Sequence, residues 1–387
     1  MTERPGASVI IAGAGIVGAS IAYHLAARGC RDVLVLERAD APASGSTGRS
    51  AGGVRHQFAT AVNVRLSHYS IERLQAFTQE VGGYASLRQV GYLFVHTDPA
   101  SWKRYQEQAK LQRSLGVPTE LLSADEAGRL VPGMRLDDVL GASYCPWDGY
   151  CDPYGIATGY LARARSLGVR VRCEAPISAV HRVGGRVVGV ETPDGTYGCE
   201  TFVNACGAWA GPLGAMAGLD IPVRPFRRTI YVTDDFDGLP DGMPFSFDVA
   251  SGFYVRKEGR SLFFGLTNPH EPSSERLDVD WGWLDSVLEH GVRRFPMLGE
   301  AQLAHRRCWS GLYEVTPDHM PVLGRHPALP NYLDASGFSG HGVMHAPATG
   351  MLMAEEILDG RAHSIDIDEL RVDRFDARAL RVETNVF

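Results

Sequence analysis

Positive charge is in deficit: 38 Lys and Arg stand against 45 Asp and Glu, a formal net charge of -7 at pH 7. A mildly acidic chain lacks the basic surface that grips a phosphate backbone, so nucleic acid is not an expected partner. Charge of either sign is also sparse, 21% against 44% apolar residues, over 387 residues. That balance excludes disorder as a bulk description and supplies a large core in two or three domains. The seven cysteines (30, 145, 151, 173, 199, 206 and 308) contain no CxxC pair, which excludes a zinc ribbon or thioredoxin-type site. Scattered and odd in number, they predict reduced thiols and a cytoplasmic setting. Long hydrophobic runs are missing, with one exception at residues 9–27. That run contains Gly13, Gly15, Gly18 and His24 and has a single basic residue, Arg4, upstream. A buried strand, turn and helix therefore explains it better than a signal peptide or a membrane span.

Glycine is the class in excess, at 44 residues. Residues 8–12 read as a short buried strand, followed by Gly13-Ala-Gly15-Ile16-Val17-Gly18, a helix over residues 19–28, and a second strand at 33–36 ending at Glu37. In this order the G-x-G-x-x-G is a βαβ dinucleotide-binding unit. Gly13 permits the sharp turn, Gly15 lets the backbone approach a pyrophosphate, and Gly18 lets helix and strand pack closely. The helix N-terminus, next to Ile16 and Val17 of the motif, offers free N–H groups to phosphate. Glu37 stands where a carboxylate accepts from ribose hydroxyls, which disfavours a 2′-phosphate. The unit alone fits NAD and FAD equally. A second glycine-rich stretch follows: Ser44, Ser46, Thr47, Arg49, Ser50, Ala51, Gly52 and Gly53, up to Arg55. Its N–H groups can nest phosphate or ring oxygens, which suits a large extended cofactor. It runs straight into an amphipathic helix (Val62, Leu66, Tyr69, Ile71, Leu74) with no domain break.

Further along, strands are predicted around Gly91, a helix over 100–115, and a strand before a capping box of Ser123 and Glu126. Asp152-Pro153 opens a helix to about residue 167, and strands follow at 169–173, 175–180 and 187–191 with a hairpin turn at Asp194-Gly195. Residues 201–205 form a strand that leads into Cys206-Gly207-Ala208-Trp209, another place for backbone to touch a ligand. Residues 230–232, 253–256 and 261–266 predict an antiparallel sheet, and 286–295 a helix. Near the end, a strand at 332–335 passes through a small-residue loop into a helix at 344–358. Such a helix start is a second dipole site, suited to negative charge on a reduced ring. His341 and His345 are spaced i, i+4, but no third ligand accompanies them, so no metal is expected.

Three blocks, 9–38 with 44–58, 202–209, and 311–318 with 337–350, jointly resemble the flavin-dependent amine and amino-acid oxidoreductases of the D-amino-acid oxidase superfamily. The resemblance is to the branch holding sarcosine oxidase, proline dehydrogenase β subunits and glycine oxidase. It implies an α/β plus α+β fold. A Rossmann-like FAD-binding domain (1–85, 146–220 and 325–387) would be intertwined with an antiparallel-sheet substrate domain (86–145 and 221–324). FAD would be held by the residues already named together with Arg38, Ile177, Ala205, Gly207, Trp209, Gly311 and Tyr313. The loop of Gly337, Phe338, Ser339, Gly340, His341, Gly342, Val343 and Met344 would complete that site. The implied reaction takes a hydride from the Cα or N-methyl carbon of an amine to flavin N5, and water hydrolyses the imine.

Departures from the family pattern narrow the expectation. A flavin-linking Cys of one branch is replaced by Gly311, with Cys308 offset by three, and a linking His of another by Arg49 and Ser50, so FAD is expected to be non-covalent. A Lys that promotes reaction with oxygen aligns with Phe263, which argues for a dehydrogenase. A Lys that holds the substrate carboxylate aligns with Met344, so that site must be rebuilt. Arg55, aligned with a family active-site Arg, and Arg256 are the candidates, since Arg suits bidentate carboxylate recognition. Tyr254 and Tyr313 are expected to line the substrate cavity, while Thr267 replaces a family His and leaves no obvious general base. Arg224, Arg227 and Arg228 read as a surface patch or partner contact. The expected ligand is a small-molecule amine or amino acid. Two alternatives stay open: a β-type subunit that passes electrons to partner chains, and a flavoprotein assembly factor without turnover.

Overall fold

The computed structural model describes residues 6–376 and 380–386; Arg4 and the outermost residues of the predicted terminal segments lie outside them. The apolar run near the start resolves into the strand Gly6–Ala12 and the helix Ile16–Ala27. Val33–Leu36, buried at all four positions, lies parallel to Gly6–Ala12 and pairs Val9 with Val33. On the other side Gly195–Asn204 is also parallel, pairing Val9 with Thr201, and carries Leu329–Ser336 parallel beyond it. Continuous burial on both faces is what a parallel sheet demands, and it explains why these segments do not alternate. The helices Ile16–Ala27, Pro153–Ser166 and Gly342–Leu358 cover one face of this first sheet. Their close crossing needs small residues: a Cβ on Gly350 would lie 2.1 Å from Ser20 Oγ.

The second sheet runs in the order Trp309–Val315, Arg224–Val232, Ser261–Gly265, Phe253–Glu258, Phe245–Asp248, Tyr92–His96, Gly141–Cys145 and Glu120–Leu122. It is antiparallel except where Phe245–Asp248 meets Tyr92–His96. Alternation along the strands splits its side chains. Leu93, Val95, Val255 and Phe264 pack beneath with Phe253 and Phe295, whereas Tyr92, Phe94, Phe245, Phe247 and Tyr254 form an aromatic layer on the opposite face.

Strands of the first sheet come from residues 6–36, 170–204 and 322–336, and those of the second from 92–145, 224–265 and 309–315. On this segregation we propose the two intertwined domains at the boundaries given above. Val322–His326, which joins the first sheet, straddles the boundary at 324. The predicted strand at 175–180 needs correction. The backbone at Ala175 is held by Glu37 O and only Ala179–Val183 is a strand, because Pro176 has no N–H to donate. Among the described residues no helix is long and apolar enough to cross a membrane.

Candidate functional site

A cavity of about 520 Å³ runs between the two sheets. It begins at the first βα turn. Gly13 has φ +102°, and a Cβ there would lie 2.4 Å from Ala205 O; a Cβ on Gly18 would lie 2.0 Å from Gly13 O. Helix Ile16–Ala27 opens on Gly15 without a cap from its own side chains, and the Ile16 N–H donates instead to Thr47 Oγ1 at 3.0 Å. Glu37 pins the turn, accepting from Ala14 N (2.8 Å) and Ala39 N (2.9 Å), and each of its oxygens keeps a lone pair for the cavity. Arg38 stacks on Trp209 at 3.8 Å, and the Trp209 indole N–H is buried without a protein partner.

The middle of the cavity is walled by the second glycine-rich stretch. Ser46 donates to Leu312 O (2.8 Å), and Arg49 O accepts from Trp309 Nε1 (2.9 Å). This lashes the stretch to the strand Trp309–Val315. Gly311 allows the approach, since a Cβ there would lie 3.1 Å from Arg49 Cβ. Arg49 Nε is buried without a partner.

The far end is a chamber of Tyr92, Phe245, Phe247, Tyr254 and Tyr313, with Arg55 and Arg228 in its wall. Gly340, at φ +95°, makes room for Tyr313; a Cβ would lie 2.4 Å from that ring. Helix Gly342–Leu358 starts here with no side-chain cap, turning its positive end toward the cavity. Arg55 is heavily engaged: Nη1 donates to Gln57 O, and Nη2 to Asn385 O and toward His341 Nε2 (3.2 Å). Burial and the neighbouring Arg55 hold His341 well below the usual histidine range, so it accepts as a neutral ring. His345, held low by burial at about 3, bonds Ser67 Oγ instead. Glu314 touches the cavity but is otherwise packed in protein. Burial pushes its carboxyl up to about 7, against the pull of the Gly337 and Phe338 N–H groups.

Beneath the segment carrying Arg55 lies a buried cluster of His56, Cys145 and Asp148. Asp148 accepts from His56 N (2.8 Å), His56 Nδ1 (2.7 Å) and Gln57 Nε2 (3.2 Å). Donors already surround the carboxylate, so the cluster works as an anchor for residues 53–57.

Most of the expected cofactor residues meet at this cavity: Gly13, Gly15, Ile16, Val17, Glu37 and Arg38 at one end, and Gly340, His341, Gly342, Val343 and Met344 at the other. Between them it is lined by Ser44, Ser46, Thr47, Arg49, Ser50, Ala51, Gly53, Ile177, Ala205, Gly207, Trp209, Gly311, Tyr313 and Ser339. Gly18, Gly52, Gly337 and Phe338 are not in its wall. Gly18 packs on Gly13 O, Gly52 on Cys151 O and Gly337 on Thr316, while Phe338 is wholly buried in the core. Arg55, Tyr254, Tyr313 and Met344 reach the chamber. Arg256 does not. Its guanidinium clamps Ala51 O through Nε (3.1 Å) and Nη2 (2.8 Å) and lies against Tyr150 and Phe263. Thr267 also lies outside, with its hydroxyl buried and unpartnered. The arginine patch dissolves as well. Arg224 is exposed, Arg227 is buried on Glu271, Asp278 and Asp280, and Arg228 turns into the chamber. Sequence reading missed Tyr92, Phe245, Phe247, Arg228 and Glu314; only the alternation of consecutive arginines along one strand could have split that patch.

The cavity fits an extended dinucleotide. A glycine turn and an open helix start lie at one end, a carboxylate with spare lone pairs stands beside them, and unpartnered Trp209 and Arg49 N–H groups point to a missing acceptor. Comparison with known proteins agrees. Dimethylglycine dehydrogenase of Rattus norvegicus is 30% identical over 95% of this chain and 45% of its own length. The 4-methylaminobutanoate oxidase (formaldehyde-forming) of Paenarthrobacter nicotinovorans is 30% identical over 95% of this chain and 45% of its own. The chain thus spans less than half the length of these curated relatives. Among solved structures, L-proline dehydrogenase from P. horikoshii superposes with a TM-score of 0.90 at 31% identity, covering 98% of this chain and 100% of that one. Glycine oxidase from Geobacillus kaustophilus gives 0.84 at 25%, covering 97% and 100%. The FAD dependent oxidoreductase profile matches residues 8–356, so the chain belongs to that family, and the cofactor its cavity is built for is FAD.

Proposed function

We propose that this enzyme oxidises the carbon–nitrogen bond of a small secondary amine or amino acid, sarcosine-, proline- or glycine-like. The observation that carries the reading is the single cavity joining a dinucleotide turn to an aromatic chamber with cations in its wall. The names of the relatives, dehydrogenases and oxidases of N-methyl and cyclic amino acids, support it. Bound FAD supplies the acceptor for a hydride equivalent. The chain's own residues do the rest. Tyr92, Phe247, Tyr254 and Tyr313 exclude water and shape the chamber. The start of helix Gly342–Leu358 sets a positive dipole end beside it. His341 is occupied by Arg55 and Glu314 by the Gly337 N–H, so we infer that the amine enters neutral and needs no protein base.

We further infer a non-covalent flavin. The Cys308 thiol turns to Val232 N (3.4 Å) and Ala304 O (3.5 Å), away from the cavity. Acid precipitation should therefore leave the yellow flavin in the supernatant; flavin retained on the pellet would refute this. Phe263, which stands where the family pattern has a Lys, is packed edge-on against Trp309 and under Arg256, and on that replacement we infer slow use of oxygen. Photoreducing the flavin and admitting air checks it: slow reoxidation is expected, and electrons would then leave through an acceptor chain or dye. The seven unpaired thiols favour a reducing, cytoplasmic setting. The function itself is tested anaerobically with sarcosine, N,N-dimethylglycine, 4-methylaminobutanoate, L-proline and glycine. At least one should bleach the visible flavin absorbance; bleaching by none would overturn the proposal.

A further inference from the structure

We propose that Arg228 is the anchor for a substrate carboxylate, so that the chamber selects amino acids over simple amines. The inference rests on the amine-oxidation reading and assigns its substrate class. Arg227 and Arg228 are consecutive on the strand Arg224–Val232 and therefore face opposite sides. Arg227 pairs with three acids, Glu271 at 2.9 Å, Asp278 at 2.9 Å and Asp280 at 3.3 Å. Arg228 has no ion pair among the described residues. Its one hydrogen bond is from Nη1 to Arg227 O at 2.9 Å, its Nε is buried without a partner, and its guanidinium lies 5.0 Å from the centre of the Tyr313 ring.

A guanidinium carries five N–H donors, and one in this position leaves most of them unused. Desolvation works against its charge; burial pulls its pKa below the ordinary arginine value. A half-buried cation without a counter-charge, on the wall of a ligand cavity, is an arrangement that an incoming carboxylate completes. Tyr254 and Tyr313 line the same wall, and their hydroxyls make no hydrogen bond among the described residues. Arg55, the other arginine of the chamber, is less available, because both its terminal nitrogens already meet protein acceptors. The register explains how Arg228 reaches the cavity. It pairs with Gly311, whose missing side chain lets Arg49 pack against the neighbouring strand without a Cβ between them.

The test uses the FAD-loaded enzyme and unreactive oxygen isosteres of the candidate substrates: methoxyacetate, tetrahydrofuran-2-carboxylate and 4-methoxybutanoate, each beside its neutral amide. Binding is read from the perturbed flavin spectrum and by calorimetry. At least one carboxylate should bind, and its amide should bind at least tenfold more weakly. Arg228→Met should weaken that carboxylate by roughly 10- to 100-fold and leave the amide unchanged, the worth of one charge-assisted pair. Arg228→Lys should recover part of the loss. The variants should keep their FAD and their melting temperature, since no protein ion pair is broken. Equal binding of carboxylate and amide by the parent enzyme, no carboxylate binding at all, or an unchanged Kd in Arg228→Met would each overturn the proposal. The two readings fail separately. If amines bleach the flavin and Arg228→Met changes nothing, the anchor falls alone. If carboxylate selectivity holds and no amine bleaches the flavin, the oxidation reading falls alone.

Discussion

Glu314 shows how the site sets the stability of the fold at the level of one residue. Unfolded, its carboxyl titrates near 4.5; buried beside the cavity it titrates at about 7. Between those values the folded chain holds a proton that the unfolded chain has released. Stability therefore falls as pH rises from 4.5, and the loss is complete above 7. Allowing for water in the cavity, it amounts to roughly 2–3 kcal/mol. Glu314→Gln keeps an acceptor for the Gly337 N–H and removes the charge. Its urea midpoint should exceed that of the parent at about pH 8 and converge on it near pH 5. A difference that does not change with pH would show that Glu314 is neutralised by another group. Gly340→Ala makes a second test. It strains a backbone at φ +95° and drives a Cβ into the Tyr313 ring, so substrate affinity and stability should fall together.

Between elements, the segment near residue 383 closes the site from behind. The wholly buried Glu383 carboxylate accepts from Ala59 N, Thr60 Oγ1 and Asn63 Nδ2, which places an anion at the start of helix Ala61–Gln75. Two residues on, Asn385 O receives Arg55. Glu383→Gln should cost about 1–3 kcal/mol in urea unfolding through the weakened charge-assisted bonds. It should also loosen Arg55, seen as a change in ligand affinity at unchanged FAD content; no loss of stability would exclude the capping role. The sequence made the βαβ unit, the Ser123 capping box and the two glycine-rich loops legible, because motif and period agree there. It did not place Arg256. Tyr254 and Arg256 share one face of their strand, but two residues further along that face the chamber has ended and Ala51 O waits instead. Nor did it place Arg228, whose neighbours come from register with a strand more than eighty residues away in sequence. Local pattern cannot report what a distant strand brings opposite.

At the scale of the whole molecule, the cavity is bounded by residues 12–17, 36–55, 92, 175–177, 205–216, 228–230, 245–254, 275–277, 311–314 and 335–344, drawn from both sheets. A ligand touching all of them ties the intertwined segments together. Saturating FAD, at about a hundredfold over its Kd, should stabilise the fold by about 2.7 kcal/mol and raise the melting temperature of the apoprotein by a few degrees. Thermal scans with and without added FAD check this, and an unchanged melting temperature would mean that the cavity does not take the cofactor. The same interleaving limits how such a protein can be shuffled. A crossover with a relative anywhere between residues 55 and 311 replaces some of the walls and keeps the others. Chimeras should therefore fail unless the exchanged piece stays clear of the cavity, as the hairpin Ala179–Val183 with Arg186–Thr192 does. The binding site is inherited as one block, although its sequence is written in ten pieces.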